Sequence, residues 1–387
     1  MKQILRNISW VELLLGGVIA FTLYFLIKFI PYGVDIKIHN FYLMEYLEKG
    51  HFPIPPGYYT LIYLVDLVFR LEHPFVLSSF VVLSFFLLWK FRIIRNWISH
   101  KQGISRFYAC LLALGLMFFG PWIAPWEEQS FWYFGKFTPT IWHNSTLIAS
   151  LPFSLLLYRE TLLWWEKESQ ISIWKILLFG LVIALIKPSF LFCYVPLFPL
   201  FTWKIKGLSS AAFKLALGIS FLFLAAISLE KYLIYYWDPM IVEEYAFADQ
   251  PKIQIRPFKV WLHYAFEPAW DFLSSFMLSI SFFILWSKKA FTRPPFSFSF
   301  GLLVLSIILF WTLAESGFRE WHANFYWQIP IALLIHLWAM LDFVLDWQRE
   351  KGKKIHWKTK VFLGIFSVHV LFGLAYWGRI FAERIIS

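Results

Sequence analysis

The chain has 387 residues, of which 59% are hydrophobic and 15% are charged, and its mean hydropathy is +0.62. This composition excludes an ordinary soluble enzyme and indicates a polytopic membrane protein, because apolar runs of about 17 to 25 residues recur along the sequence. The net charge of +11 does not point to nucleic acid, because the basic residues are dispersed in short loops between the apolar runs.

The predicted fold class is all-α: a polytopic membrane helix bundle of about eleven transmembrane helices. The apolar runs are too long, and alternate too little, for the strands of a membrane β-barrel. We expect a single transmembrane domain over residues 1–387, with no separate soluble domain. The predicted spans are roughly 9–30, 74–92, 107–125, 142–164, 172–187, 189–203, 211–230, 260–286, 297–314, 323–346 and 360–378.

The first helix follows Lys2 and Arg6 and has no small-x-small cleavage site, so we interpret it as a retained membrane helix. The first outer loop, 31–73, is predicted to hold an amphipathic helix and then a short apolar segment, Gly57 to Arg70. That segment has about 14 residues, contains Asp66 and follows the Pro-rich sequence FPIPPG, so it is short for a complete crossing. We expect it to be re-entrant or interfacial.

The distribution of lysine and arginine favours this interpretation. If the short segment does not cross, the most basic loops share one side with the N-terminus, and the positive-inside rule makes that side cytoplasmic. We therefore expect an integral membrane protein with its N-terminus in the cytoplasm and its chemically unusual loops on the non-cytoplasmic side. These loops are 31–56, 126–141, the junction at Lys187, 231–259 and 315–322. The expected location is a bacterial inner membrane.

The first outer loop contains VDIKIHNFYLMEY, in which Asp35, His39, Tyr42 and Tyr46 recur at helical spacing. A helix lying along the outer surface would present these four side chains to a cavity. Asp35 and His39 are therefore candidate catalytic residues. The alternative is that Asp35, in the first turn of the helix, only caps the helix N-terminus.

The second outer loop, PWEEQSFWYFGKFTPTIWHNST, combines carboxylates with tryptophan and tyrosine, as sugar-binding surfaces do. The same aromatic residues form interfacial belts in membrane proteins, and most of these tryptophans fit that alternative. The candidate sugar-binding or acceptor-binding residues are Glu127, Glu128, His143 and Asn144. The triplet that starts at Asn144 also matches a glycosylation signal, a match that often arises by chance.

Lys187 and Pro188 interrupt a long apolar run, GLVIALIKPSFLFCYVPLF, and divide it into two short helices. A lysine at such a break is a candidate phosphate ligand, because charged groups at membrane depth tend to be functional. The alternative is that its ammonium extends to the lipid headgroups. Arg256, near the start of a later helix, is a second candidate for phosphate binding.

The last outer loop, AESGFREWHANFYW, concentrates hydrogen-bonding side chains between two apolar helices, which is costly unless a ligand or a network satisfies them. Arg319 is a third candidate phosphate ligand here. The candidate sugar or acceptor ligands are Glu315, His322 and Asn324. No metal-binding or nucleotide-binding motif with persuasive spacing is found, so no metal site or cofactor is predicted, and a divalent metal is left open.

An aspartate at the end of the first membrane helix, the surface helix after it, the GLVIALIKPSF break and the polar outer loops together resemble the GT-C superfamily of integral membrane glycosyltransferases. The resemblance covers nearly the whole chain. It implies a polyprenyl-phosphate sugar as donor, a catalytic base or acceptor-positioning group at Asp35, and a position near the lipid phosphate for Lys187. Our own hypothesis adds that His39 assists Asp35 and that Arg256 and Arg319, like Lys187, are candidates to stabilise the departing phosphate.

The chain departs from better-known members of that superfamily in lacking a sizeable C-terminal soluble domain and a pair of adjacent acids in the first loop. A metal-dependent oligosaccharyl transferase is therefore a poorer match. The expected function is transfer of a sugar from a polyprenyl-phosphate donor to a lipid, glycan or protein acceptor on the non-cytoplasmic side. Membrane lipids and the lipid-linked sugar are the expected partners.

Two other classes of function stay open. A transporter or flippase for a lipid-linked or polar envelope substrate also uses broken helices. Such proteins have paired interruptions in two related halves, however, and the Lys187-Pro188 break has no counterpart elsewhere in the sequence. The other class is a non-enzymatic assembly subunit of an envelope pathway.

Overall fold

The structure, a computed structural model, describes residues 10–30, 34–69, 75–100, 104–124, 135–244, 252–352 and 354–383. Helices dominate these ranges. They are α1 (Trp10–Phe29), α2 (Asp35–Glu48), α3 (Gly57–Phe69), α4 (Val76–Ser99), α5 (Arg106–Met117), α6 (Ser145–Lys167), α7 (Gln170–Ile186), α8 (Ser189–Lys206), α9 (Ala211–Tyr236), α10 (Pro239–Glu244), α11 (Lys259–Tyr264), α12 (Pro268–Ala290), α13 (Pro294–Thr312), α14 (Gln328–Lys351) and α15 (Trp357–Glu383).

Eight helical segments in the described part of the chain are long and apolar enough to cross a membrane. The prediction of a helical membrane bundle is therefore confirmed, whereas the prediction of eleven crossings is wrong. The three predicted spans that fail are 107–125, 172–187 and 189–203. Their helices are α5, with 12 residues, α7, with 17, and α8, with 18 and two internal prolines.

Helix length is the reason for α5 and α7, whereas α8 is long enough but, with two internal prolines and two lysines in its last turn, is not apolar enough. A membrane crossing needs about 20 apolar residues at 1.5 Å of rise per residue. In α5 the helix ends at Met117, although the apolar sequence continues for several residues. At Lys187 the backbone is extended (φ −164°, ψ 103°) because the next residue is proline, so the long apolar run becomes two shorter helices. The short segment after FPIPPG forms α3, whose 13 residues span about 20 Å.

Two helices form the centre of the bundle. The membrane-length segment that includes α14 is 89% buried, and that of α6 is 78% buried, although both carry polar residues. By contrast, the corresponding window of α9 is only 22% buried, and Phe221 and Leu222 on this helix are exposed. Exposed apolar side chains on a long helix are expected where the neighbour is lipid and not water.

A small sheet departs from the all-helical prediction. Strand β1 (Ile253–Ile255) pairs antiparallel with β2 (Leu313–Glu315), and Ile253 lies opposite Glu315. Two 3₁₀ turns, Gly317–His322 and Asn324–Tyr326, follow β2 and lead into α14. The ladder fixes the loop after α10 against the end of α13, which brings two of the predicted polar loops together.

Buried polar contacts fix α2 and α3 at the same end of the bundle. Asn40 on α2 accepts a hydrogen bond of 2.5 Å from Ser79 on α4, and Ser79 in turn accepts one of 3.1 Å from Tyr58 on α3. Gly57, at the start of α3, packs so closely on the end of α7 that a Cβ atom would lie 2.7 Å from the carbonyl oxygen of Leu185. The start of α3 is thus held beside the break at Lys187.

Candidate functional site

Three of the predicted site residues meet at this end of the bundle, although they are far apart in sequence. The Asn144 side-chain amide donates a hydrogen bond of 2.5 Å to Oδ2 of Asp35. The Lys187 ammonium donates to Oδ1 of the same amide, at 3.4 Å, and to the hydroxyl of Thr146, at 3.1 Å. Asn144 therefore bridges a carboxylate on α2 and a cation at the α7–α8 break.

Each partner is placed by local structure. Asn144 is the N-cap of α6, and its Oδ1 accepts the backbone N–H of Leu147 at 2.9 Å, as asparagine caps commonly do. This leaves the amide NH₂ group to reach across to α2. Lys187 ends α7 because Pro188 follows it, so it stands at a break in the backbone between two helices.

The capping alternative for Asp35 is not supported by the geometry. The N-cap of α2 is Val34, and no side-chain hydrogen bond caps this helix end. The Asp35 carboxylate instead accepts from Asn144. Asp35 and Lys187 both keep partial exposure to solvent, whereas Asn144 is 1% exposed. A buried amide thus joins two charged groups that are each partly exposed.

The ammonium of Lys187 lies 5.2 Å from the ring centroid of Trp327, in addition to its two hydrogen bonds. A cation over an indole face is stabilised electrostatically. His143, which is 7% exposed, also packs edge-on against Trp327, with the ring centroids 6.2 Å apart. Lys187 is therefore held by protein groups and does not extend freely away from the bundle, as the headgroup alternative required.

His39 lies one helical turn after Asp35. Its Nδ1 is 2.6 Å from the hydroxyl of Tyr59, a residue of α3. Burial, and then the positive charge of Lys187, lower the pKa of His39 to about 3, so the imidazole is neutral near pH 7. For the same reasons the pKa of His143 falls to about 4. Neither histidine supplies a positive charge to the site.

The charges of Asp35 and Lys187 are tuned in opposite directions. Burial raises the pKa of the Asp35 carboxyl to about 6, although the Lys187 charge opposes this shift. Burial also lowers the pKa of Lys187 to about 8, and the Asp35 carboxylate opposes that shift. The carboxylate and the ammonium therefore coexist between about pH 6 and pH 8. Perturbed ionisable groups that converge in this way are typical of reactive sites.

The predicted polar face of α2 differs in exposure along its length. Tyr42 is 46% exposed, whereas Tyr46 is 6% exposed and turns into the protein. There the Tyr46 hydroxyl donates a hydrogen bond of 2.7 Å to Asp238, the residue before α10. Asp238 also accepts the backbone N–H of Met240, at 3.1 Å. The two tyrosines are one turn apart on the same face of α2 and differ in how deeply they are buried.

The candidates of the last loop form a second cluster. The carboxylate of Glu315 accepts from Asn324, at 2.5 Å, and pairs with Arg319, at 3.3 Å. The Arg319 guanidinium also lies 5.8 Å from the ring centroid of Tyr235, near the end of α9. Since Asp238 follows Tyr235 by three residues and bonds to α2, the two clusters belong to neighbouring parts of the fold.

Among the described residues, the Arg256 side chain contacts neither cluster. Its side chain is exposed and bonds to Gln254 two residues away, at 3.0 Å. Its backbone N–H bonds to Thr312, which continues the small sheet. His322, at the end of the first 3₁₀ turn, is exposed. Glu127 and Glu128 lie outside the described residues.

A buried ion pair in the same half of the fold was not predicted. Lys136 bonds to Asp271 at 2.7 Å, and the two side chains are 2% and 3% exposed. Lys136 also donates to Ser274, and its carbonyl accepts from Tyr326. Asp271 is in the first turn of α12, where an acidic side chain is stabilised by the helix dipole. This position was the only feature in the sequence that could have drawn attention to Asp271. The pairing itself depends on long-range packing.

No protein-family model matches the chain, and no curated protein is significantly similar to it. Across the described ranges, no group of three or more His, Cys, Asp or Glu side chains is arranged to hold a metal ion.

Proposed function

We propose that the protein is a membrane glycosyltransferase that moves a sugar from a polyprenyl-phosphate donor to a hydroxyl-bearing acceptor, at the end of the bundle that holds Asp35. The observation that carries the proposal is the bridge from Asp35 through Asn144 to Lys187. This bridge places a general base with a raised pKa beside the Lys187 ammonium. A phosphate could replace Asn144 and Thr146 as acceptors of the weak hydrogen bonds that this ammonium donates.

In the proposed reaction, Asp35 accepts the proton of the acceptor hydroxyl as the new bond to the anomeric carbon forms. The bond from that carbon to the phosphate oxygen breaks, and the electron pair leaves with the polyprenyl phosphate. Lys187 stabilises the negative charge that grows on the departing phosphate. Asn144 holds the carboxylate in place, and neutral His39 and His143 offer hydrogen bonds to sugar hydroxyls.

The second cluster supports the same proposal in a subordinate role. Arg319 and Asn324 converge on Glu315, so a single carboxylate orients two donors. Such a group is suited to contacting the sugar or the acceptor, because its donors are already positioned when the ligand arrives. Within the described part of the chain Arg256 makes no side-chain contact with this region, so we leave it out of the proposed mechanism.

The test uses the full-length protein reconstituted in lipid vesicles with polyprenyl phosphates that carry radiolabelled hexose or pentose. Membrane lipid and glycan fractions serve as acceptors. We expect loss of label from the donor, release of free polyprenyl phosphate and label in an acceptor fraction. The Asp35→Asn variant should lose transfer, while Glu45→Gln, which removes a carboxylate on the same helix away from Lys187, should keep it.

Two outcomes would overturn the proposal. One is transfer by Asp35→Asn at the rate of the unmodified protein. The other is movement of the labelled lipid between leaflets without any cleavage of the sugar-phosphate bond, which would instead support the transporter or flippase. The assay separates these classes because it measures the chemical fate of the donor and its position independently.

A further inference from the structure

Basic side chains line a pocket at the end of the bundle away from Asp35. The pocket has a volume of about 480 Å³ and lies where the end of α12, the end of α14 and the start of α15 meet. Trp327, which lies beside Lys187, precedes α14, and the 24 residues of that helix span about 36 Å. The pocket is therefore distinct from the proposed transfer site.

The lining of this pocket carries charge of one sign. Among the described residues that form it are four lysines and a histidine but no carboxylate: Lys288, Lys289, Lys351, Lys358 and His356. None of the four lysines forms an ion pair with another described residue. By contrast, Arg293, just after α12, pairs with Glu350 at 3.0 Å. The pocket thus keeps positive charge that carboxylates of the described chain do not neutralise.

Protein groups position two of these lysines without cancelling their charge. The Lys351 ammonium lies 5.7 Å from the ring centroid of Trp347, one turn earlier on α14. The Lys358 ammonium donates a hydrogen bond of 2.8 Å to the backbone carbonyl of Leu285 on α12. Because an ammonium has three N–H donors, Lys358 retains two for a ligand. Both cations are therefore positioned before a ligand arrives, which lowers the entropic cost of binding.

The turn between α14 and α15 is held by one side chain, Gln348. Its amide nitrogen donates to two backbone carbonyls of the turn, at 3.1 and 3.0 Å. Its amide oxygen accepts the backbone N–H of His356 and the hydroxyl of Thr359, both at 2.9 Å. Gln348 thus ties the end of α14 to the start of α15 and fixes the positions from which Lys351 and Lys358 reach the pocket.

Apolar surface continues from the lysines along α12. Ile284, which also lines the pocket, is 80% exposed on a helix of membrane length, as expected for a side chain that faces lipid. Trp286, on the same wall, is 4% exposed, and its indole Nε1 has no hydrogen-bond partner in the described part of the chain. A ligand that combines acceptor oxygens with an apolar chain therefore matches this wall.

We infer that the pocket binds the phosphate group of an anionic phospholipid. The phosphate oxygens accept hydrogen bonds from the ammonium groups of Lys288, Lys289 and Lys358. The acyl chains lie along the exposed apolar surface of α12 that includes Ile284. Basic pockets between membrane helices recognise anionic lipid headgroups in this way. A soluble phosphate ester offers the same phosphate chemistry, so the experiment has one arm for each source.

In the first arm, the full-length protein is placed in nanodiscs of phosphatidylcholine with a minor fraction of phosphatidylglycerol of the same acyl chains. Native mass spectrometry then identifies the lipid that stays bound after release, and we expect phosphatidylglycerol. In the second arm, glycerol 3-phosphate is titrated into the protein in detergent by calorimetry. Lys288→Gln combined with Lys289→Gln should weaken lipid binding about thirtyfold, about fivefold for each lysine near an anionic headgroup. Both side chains are exposed, so the unfolding temperature should not change.

The matched control combines Lys204→Gln with Lys214→Gln. These lysines are also exposed, at the end of α8 and the start of α9, and they do not line the pocket. Since α8 begins beside Lys187, its end lies at the same end of the bundle as the pocket. The control has the same net charge as the pocket variant and should bind the lipid normally. Replacing Lys288 and Lys289 by arginine keeps both charges and should preserve binding.

Preferential retention of phosphatidylglycerol that only the glutamine variant of the pocket loses would support a lipid headgroup site. Binding of glycerol 3-phosphate that this variant loses, without preferential retention of the lipid, would support the phosphate site and assign it to a soluble ester. The inference is wrong if neither ligand binds the unmodified protein. It is equally wrong if the pocket variant and the control bind alike, because the lysines would then act only through the net charge of the protein surface.

Discussion

Replacing Asp35 by asparagine separates a catalytic role from a structural one. The two side chains have nearly the same shape, and the new amide oxygen can still accept the hydrogen bond that Asn144 donates at 2.5 Å. What disappears is the negative charge and the ability to take a proton. The structure therefore predicts that chemistry is lost while the arrangement of α2, α6 and the Lys187 break is retained.

The substitution is expected to lower the transfer rate but not the free energy of unfolding. Loss of a general base lowers the transfer rate by about 10² to 10⁴. Burial raises the pKa of the Asp35 carboxyl from 3.8 to about 6. The ionised form therefore costs the folded state on the order of 1–3 kcal/mol, the lower value allowing for partial exposure. This cost is absent below about pH 4, grows as the pH rises from about 4 to about 6, and is complete above about pH 6.

Two measurements check the prediction. Transfer from the radiolabelled donor should fall as stated, and thermal unfolding in detergent at pH 7.5 should occur at the same temperature as in the unmodified protein, or higher. The difference in stability should vanish below about pH 4, where both side chains are neutral. Loss of activity together with a lower unfolding temperature at pH 7.5 would refute the reasoning, because Asp35 would then act as a structural residue.

Three further predictions concern the same fold. The transfer rate should follow a bell-shaped pH profile with limbs near pH 6 and pH 8. Lys187→Arg should move the alkaline limb to higher pH, because arginine stays charged, and an unmoved limb would exclude Lys187 as its source. Gly373→Ala should lower the unfolding temperature, since its Cβ would lie 1.6 Å from a backbone carbonyl oxygen, whereas Gly364→Ala on the same helix meets open space and should not. Lys136→Met should destabilise the protein by about 3–5 kcal/mol, because it leaves Asp271 buried without its cation; adding Asp271→Leu should restore most of that loss in the same unfolding assay.

Part of the site could be predicted from sequence, because its charged residues lie next to long apolar segments, where charged residues are rare. Asp35 and Lys187 are charged groups at the ends of apolar segments, and such groups are costly unless they have a purpose or a partner. Asn144 was also predicted, because it lies in an outer loop that combines aromatic and polar side chains. Their mutual contacts could not be predicted, since these three residues are separated by 109 and 43 positions in sequence.

Other features carried no sequence signal of their own. Tyr46 looks equivalent to Tyr42 on a helical projection, yet only Tyr46 is buried and bonds to Asp238. The indole N–H of Trp286, in a highly apolar helix, resembles any other buried aromatic group until the missing acceptor is seen. Both depend on which helices pack against one another.

The sequence by itself determined that the chain forms a bundle of membrane helices and roughly where those helices begin and end, because apolar length and proline position act locally. Only the tertiary structure decided that eight segments have membrane length, that α6 and α14 form the centre, and that Asn144 joins Asp35 to Lys187. The physical reason is that contact with lipid requires only an apolar helix surface and does not determine which helices pack against each other. Helix partners are instead selected by close packing and buried hydrogen bonds between residues distant in sequence.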